Sequence, residues 1–206
     1  MFYYLPEGEE RIRVIADRVL YLLWDLNLDV GYSIRSSSDC IEQARDTTVR
    51  TALMDVRLIV GEQRVYQDFI NDVAQALQSQ DPQGFIKRKL DERDERKKKY
   101  GSSVYLLEPN IKEGEGGLRE LQDALWIARI KYKADSLHEL LTRGIVTEPM
   151  VESYVQAQDY LWTIRNFLHF STQRKSEQLS FDVQQQIADF LGYANKSTGS
   201  AVEQFM

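Results

Sequence analysis

Tyr105-Leu106-Leu107-Glu108-Pro109-Asn110-Ile111-Lys112-Glu113-Gly114-Glu115-Gly116-Gly117-Leu118-Arg119-Glu120-Leu121-Gln122 reads as three pieces in succession. An extended stretch holding Pro109 leads into a glycine-rich turn, and an amphipathic helix starts near Leu118. Glycines directly ahead of a helix let backbone N–H groups approach an anion at the positive helix end. Lys112 and Arg119 flank that turn with donors suited to phosphate or carboxylate. The pattern is neither a P-loop nor a dinucleotide fingerprint. Two readings stay open: an anion-binding turn, or a tight interdomain turn whose Arg119 pairs with Glu108 or Glu120.

Downstream, periodicity and caps predict helices over 118–132, 136–143, 148–172 and 181–191, and a helix that has only begun at 201–206. Thr147 ahead of Glu148-Pro149, and Ser180 ahead of Phe181, are the expected starts. Gly144 and Gly192 are the expected stops. Gln122-Asp123-Ala124-Leu125-Trp126-Ile127-Ala128-Arg129 matches Gln158-Asp159-Tyr160-Leu161-Trp162-Thr163-Ile164-Arg165 at five of eight positions, 36 residues on. Two copies are too few for a solenoid. They read as similar helices of one bundle, each with Trp and Arg placed for a cation–π stack.

Upstream, Met1-Phe2-Tyr3-Tyr4-Leu5 is strand-prone from its first residue. Pro6 and the acidic Glu7, Glu9 and Glu10 then start a helix carrying Ile12, Ile15, Val19, Leu22, Leu23 and Leu26 on one face, with Asn27 as its stop. Leu28 to Arg35 alternates like a strand, placing Asp29, Gly31, Ser33 and Arg35 on one face. Strand, helix and strand at this spacing form a βαβ piece. Helices follow over 39–60, closed by Gly61, then 63–79 and 83–100. The stretch Ser79-Gln80-Asp81-Pro82-Gln83-Gly84 is the expected boundary, dividing 1–79 from 82–206, and Lys196-Ser197-Thr198-Gly199-Ser200 is a softer break.

Composition narrows the function classes. At 206 residues the chain exceeds one ~150-residue domain. A net charge of −6, from Lys+Arg 26 against Asp+Glu 32, argues against nucleic acid as partner. No window approaches the apolar length needed to span a bilayer, so no membrane partner is expected. One Cys excludes an internal disulfide framework and points to a reducing, cytoplasmic compartment. The lone Cys40 reads as a structural thiol, and His138 and His169 lack metal-ligand spacing. The run Lys87 to Lys99 offers Glu92–Arg96, Asp94–Lys98 and Glu95–Lys99 pairs, the mark of a solvated helix face.

These residues also resemble a known family. Leu106-Leu107-Glu108-Pro109 through Arg129 is similar to the N-L-E-P-x-x-K-x-x-x-G-G-L-R-[DE]-[IL]-x-x-L-x-W-[IV]-A-R run of bacterial PII-protein uridylyltransferase/uridylyl-removing enzymes, with Leu106 where that family usually has Asn. Leu23-Trp24-Asp25 through Ser33-Ile34-Arg35, Thr51 to Gly61, Leu161-Trp162 through His169 and Leu179-Ser180-Phe181-Asp182 are similar too, in the family's order. The glycine-arginine run is shared with glutamine synthetase adenylyltransferases. The upstream strand and the Trp162 to His169 block favour the PII-modifying group.

The resemblance implies a mainly α fold: a helical bundle domain at 82–206 following a truncated α/β nucleotidyltransferase (polymerase-β-like) portion at 1–79. It implies UMP transfer from UTP to a PII-like regulatory protein, with Mg²⁺ held by carboxylates. No glycine turn followed by an Asp-x-Asp strand occurs in the sequence. The resemblance implies Asp29, on the next strand between apolar neighbours, as the third carboxylate and metal ligand, with Arg35, Lys112, Gly116, Gly117 and Arg119 binding nucleotide. The chain alone is expected to be inactive, and an exposed sheet edge suits self-association. The alternative is a non-catalytic nucleotide-binding or protein-interaction module of a signalling protein.

Overall fold

Phe2 and Tyr3 form β1 (Phe2–Tyr3), which pairs in parallel with β2 (Ile34–Arg35) in the register Phe2 to Ile34 and Tyr3 to Arg35. Between them a 3-10 turn at Pro6–Gly8 leads into α1 (Glu9–Asp25), with Glu9 and Glu10 in its first turn. Asn27, at φ 56°, takes the left-handed conformation that ends it. This is the expected βαβ piece, in a computed structural model that describes residues 1–101, 106–172, 175–196 and 199–206. Tyr105, Ser197 and Thr198 lie outside the described residues. Among these residues the chain is mainly helical and divides into two units, Met1–Gln83 and Gly84–Met206.

Two expectations for the first unit are corrected. The strand read at 28–35 is regular only at Ile34–Arg35, where β1 lies alongside, with the Ser33 carbonyl accepting the Phe2 N–H at 2.8 Å at its start. The helix read at 39–60 is two helices, α2 (Ser37–Gln43) and α3 (Thr47–Met54). Ser36 caps the first through a reciprocal pair with Asp39, and the Asp46 carboxylate accepts the Val49 N–H at 3.0 Å to start the second. Beyond Met54, Val56, Ile59 and Val60 are β-branched and Gly61 sits at φ 143°, so the helix does not resume until α4 (Gln63–Ser79).

Cys40, Ala44, Leu53, Phe69, Val73 and Leu77 make this unit's core, with the Tyr3 ring 4.5 Å from that of Phe69. Burial pushes the Cys40 thiol up, which suits a packing role. Arg50 is fully buried and donates to the carbonyls of Leu77 at 2.8 Å and Asp81 at 3.4 Å. A cation is thereby placed at the negative end of α4.

The second unit contains most of α5 (Pro82–Tyr100), then α6 (Leu118–Tyr132), α7 (Leu137–Thr142), α8 (Glu148–Thr172), α9 (Phe181–Phe190) and α10 (Ala201–Phe205). The bounds of α6 and α8 are those the periodicity predicts. Its core is Ile111, Ile164, Leu168, Leu179, Val183 and Ile187. Where the softer break was expected, the backbones of Lys196 and Gly199 bond to each other, at 3.0 and 3.2 Å.

Candidate functional site

The glycine turn owes its shape to Asn110. Its Oδ1 accepts the N–H groups of Lys112 at 3.1 Å and Glu113 at 2.8 Å, and its carbonyl accepts Gly114 at 2.9 Å. Gly116 takes φ 74°, a conformation open to glycine at low cost. A Cβ on Gly117 would stand 2.8 Å from the Ile111 carbonyl oxygen and 2.9 Å from that of Lys112. Those same carbonyls accept the first N–H groups of α6, Leu118 to Ile111 at 3.0 Å and Arg119 to Lys112 at 2.9 Å.

This changes what the turn can bind. Gly116 donates its N–H to the Glu120 carboxylate, Gly117 to the Gly114 carbonyl and Glu120 to the Gly117 carbonyl. Hydrogen bonds already made do not point at an incoming anion, so recognition here rests on side chains. Lys112 Nζ and Arg119 Nη2 meet on one oxygen, Glu113 Oε1, at 3.5 and 3.6 Å. Arg119 also donates to Gln122 at 2.9 Å and lies over the Trp126 ring. Its partners are thus Glu113 and Gln122 rather than the expected Glu108 or Glu120.

Glu120 and Glu108 have other work. Burial pushes the Glu120 carboxyl up, but the Gly116 N–H and Arg93 outweigh it and hold it below its ordinary range. Glu108 caps α9, accepting the Phe181 N–H at 2.8 Å where Ser180 was expected to cap with its side chain. The Pro109 carbonyl accepts Leu179 N–H, and Ile111 N–H donates to the Glu177 carbonyl, both at 2.9 Å.

The charged run of α5 is not simply a solvated face. Lys89 is 5% exposed and pairs with buried Asp123 at 3.0 Å, where Arg96 joins it. Arg93 reaches Glu120 at 3.0 Å, and Lys97 reaches Glu115 at 2.8 Å. A second cluster joins α8 to residue 177: Arg165 forks onto Glu177, and His169 Nε2 is 3.5 Å from it. Arg165 also stands 5.0 Å from the Trp162 ring centre, the expected stack, while Lys89 and Arg119 lie over Trp126.

Of the residues singled out from sequence, Lys112, Gly116, Gly117 and Arg119 therefore lie on one turn of the second unit. Asp29 and Arg35 belong to the first. Asp29 is exposed, in the irregular stretch before β2, and Arg35 is half-buried on β2. Among the described residues no three His, Cys, Asp or Glu side chains gather as a metal site. Asp123 escaped the sequence reading because its partners come from a separate helix, and Glu113 because it stands among several acidic neighbours.

The family model of GlnD PII-uridylyltransferase matches residues 84–206. The chain belongs to the PII-uridylyltransferase family. It is 40% identical over 193 residues to the bifunctional uridylyltransferase/uridylyl-removing enzyme of Rhodospirillum rubrum, covering 93% of this chain and 21% of that protein. The enzyme of the same description from Nitrobacter winogradskyi gives the same figures. That from Azospirillum brasilense is 36% identical over 197 residues, 95% of this chain and 21% of its own length. The chain thus spans about a fifth of these curated relatives. No solved structure matches it. Among the described residues, no helix is long and apolar enough to cross a membrane.

Proposed function

We propose that this chain is a nucleotide-handling part of a nucleotidyltransferase that moves UMP from UTP onto a PII-like regulatory protein. The observation that carries the reading is the meeting of Lys112 and Arg119 on Glu113 Oε1. Two cations sharing one carboxylate oxygen can exchange it for a triphosphate, which offers more oxygens and more charge. Gly116 and Gly117 serve by shaping the turn that aims these side chains. In the first unit, 1–79 would be the nucleotidyltransferase portion, with Asp29 as one carboxylate toward Mg²⁺ and Arg35 as a phosphate partner. Bound Mg²⁺ would supply charge neutralisation of the phosphates. The cytoplasm is the compartment this reading requires, as UTP and a reduced Cys40 are both expected there.

No Asp-x-Asp occurs among the 206 residues, so the chain alone is expected to hold nucleotide without transferring it. Calorimetric titration with UTP in the presence of Mg²⁺ tests the reading. Saturable binding that weakens about tenfold or more in Lys112→Ala or Arg119→Ala supports it, since a charged hydrogen bond is worth about 1.5–3 kcal/mol. A second reading, a protein-interaction module without nucleotide, is favoured by the satisfied N–H groups of the turn. It predicts no UTP binding by the wild-type chain. Self-association through the short β1–β2 edge would show as a larger species in gel filtration.

A further inference from the structure

The two copies of the eight-residue repeat meet different fates. In α6, Asp123, Trp126 and Ile130 are buried. Asp123 receives Lys89 and Arg96, and Lys89 also lies 5.2 Å from the centre of the Trp126 ring. Lys89 and Arg96 are seven residues apart, two helical turns on one face of α5. The matching positions of α8 are Asp159, Trp162 and Asn166, and all three are exposed. Trp162 is 36% accessible where Trp126 is 5%.

The bare face continues toward the start of the helix. Glu148, Glu152, Val155, Asp159, Trp162 and Asn166 recur at alternating four- and three-residue spacing, and every one is exposed. That is the seam spacing of one helix packed along another. Three carboxylates lie on it, and the cation beside it, Arg165, stacks on the Trp162 ring while its guanidinium is committed to Glu177. An apolar and aromatic centre flanked by carboxylates is what α5 covers on α6, there with a lysine and an arginine.

We propose that this stripe of α8 docks a cationic amphipathic helix of a separate polypeptide, bearing a lysine and an arginine seven residues apart in the manner of α5. Charge complementarity selects that occupant. A second copy of this chain would set its own α8 carboxylates against these, and its Lys89 and Arg96 are already paired with Asp123. The ring of Trp162, which already carries Arg165, would take the aliphatic stem and head of the incoming cation as a second one, as Trp126 takes Lys89 beside Arg119.

The test uses the whole chain and a fluorescent synthetic peptide of residues 84–100 as the probe, read by anisotropy. The expected result is saturable, salt-sensitive binding, with no binding of a peptide carrying Lys89→Glu and Arg96→Glu. Trp162→Ala should weaken the wild-type peptide about tenfold, as loss of an aromatic anchor does. Asp159→Lys, a change at an exposed site that leaves packing intact, should weaken it at least about threefold. Circular dichroism of both variants should match wild type. Absence of saturable binding overturns the proposal. So does binding that neither variant alters, since the peptide would then have exchanged onto α6. A chain that sediments as a dimer, and as a monomer once Trp162 is replaced, overturns it as well.

Discussion

α1 and α5 invert what their sequences advertise. α1 carries an apolar face, yet Ile15, Val19, Leu22 and Leu26 are all exposed, Leu26 at 70%. α5 is dense in charge, yet Phe85 and Lys89 are buried in it. Burial is decided by what packs against a helix, and a helix's own pattern records only half of that contact. On α5, Asp123 and Trp126 of α6 provide the other half. Salt bridges inside a protein are weak evidence of stability when replaced as a set, but removing one partner strands a charge.

That contrast can be broken most forcefully at Asp123. Asp123→Ala leaves Lys89 to Glu92 and Arg96 to Glu113 around a buried gap and should cost about 3 kcal/mol in urea denaturation. Gly117→Ala comes next. Its Cβ meets two backbone oxygens that are themselves accepting the first bonds of α6, and about 1–3 kcal/mol should be lost.

A smaller effect is expected from Glu177. Burial pushes its carboxyl up, but the hydrogen bonds and charge of Arg165 outweigh this and leave it below its ordinary range. A carboxyl depressed in the folded state contributes stability above its unfolded pKa of about 4.3, and that contribution fades as pH falls through the lower folded value. Glu177→Gln should cost about 1 kcal/mol at neutral pH and flatten the acid limb of a Tm-against-pH curve. The smallest effect belongs to α1, where Leu22→Gln should change stability by less than about 0.5 kcal/mol. A loss at Leu22 as large as that at Asp123 would erase the contrast.

What could be read without the structure was local. The bounds of α6 and α8 followed from periodicity over four or more turns, and the left-handed stops at Asn27, Gly144 and Gly192 from residue type. The parallel pairing of β1 with β2 was legible, but its length was not, because a strand extends only as far as its neighbour. Cys40 was read correctly as a packing thiol. The cap of α9 comes from Glu108, 73 residues away, and the partners of Lys89 and Arg96 from α6. Such pairings leave no periodic trace. For the candidate site, Lys112 and Arg119 were legible as cations flanking a turn, while the carboxylate between them, Glu113, was hidden among several acidic neighbours.

The central claim is that this chain carries nucleotide-facing cations but does not by itself complete a transferase. Incubation with UTP labelled in its α-phosphate, Mg²⁺ and a PII-type protein tests it in one assay, by separating reversibly held label from covalent label. The account predicts label retained on the chain, released by excess UTP and lost in Lys112→Ala and Arg119→Ala, with none attached to the PII-type protein. Covalent label on that protein, or retention that both substitutions leave unchanged, would contradict it.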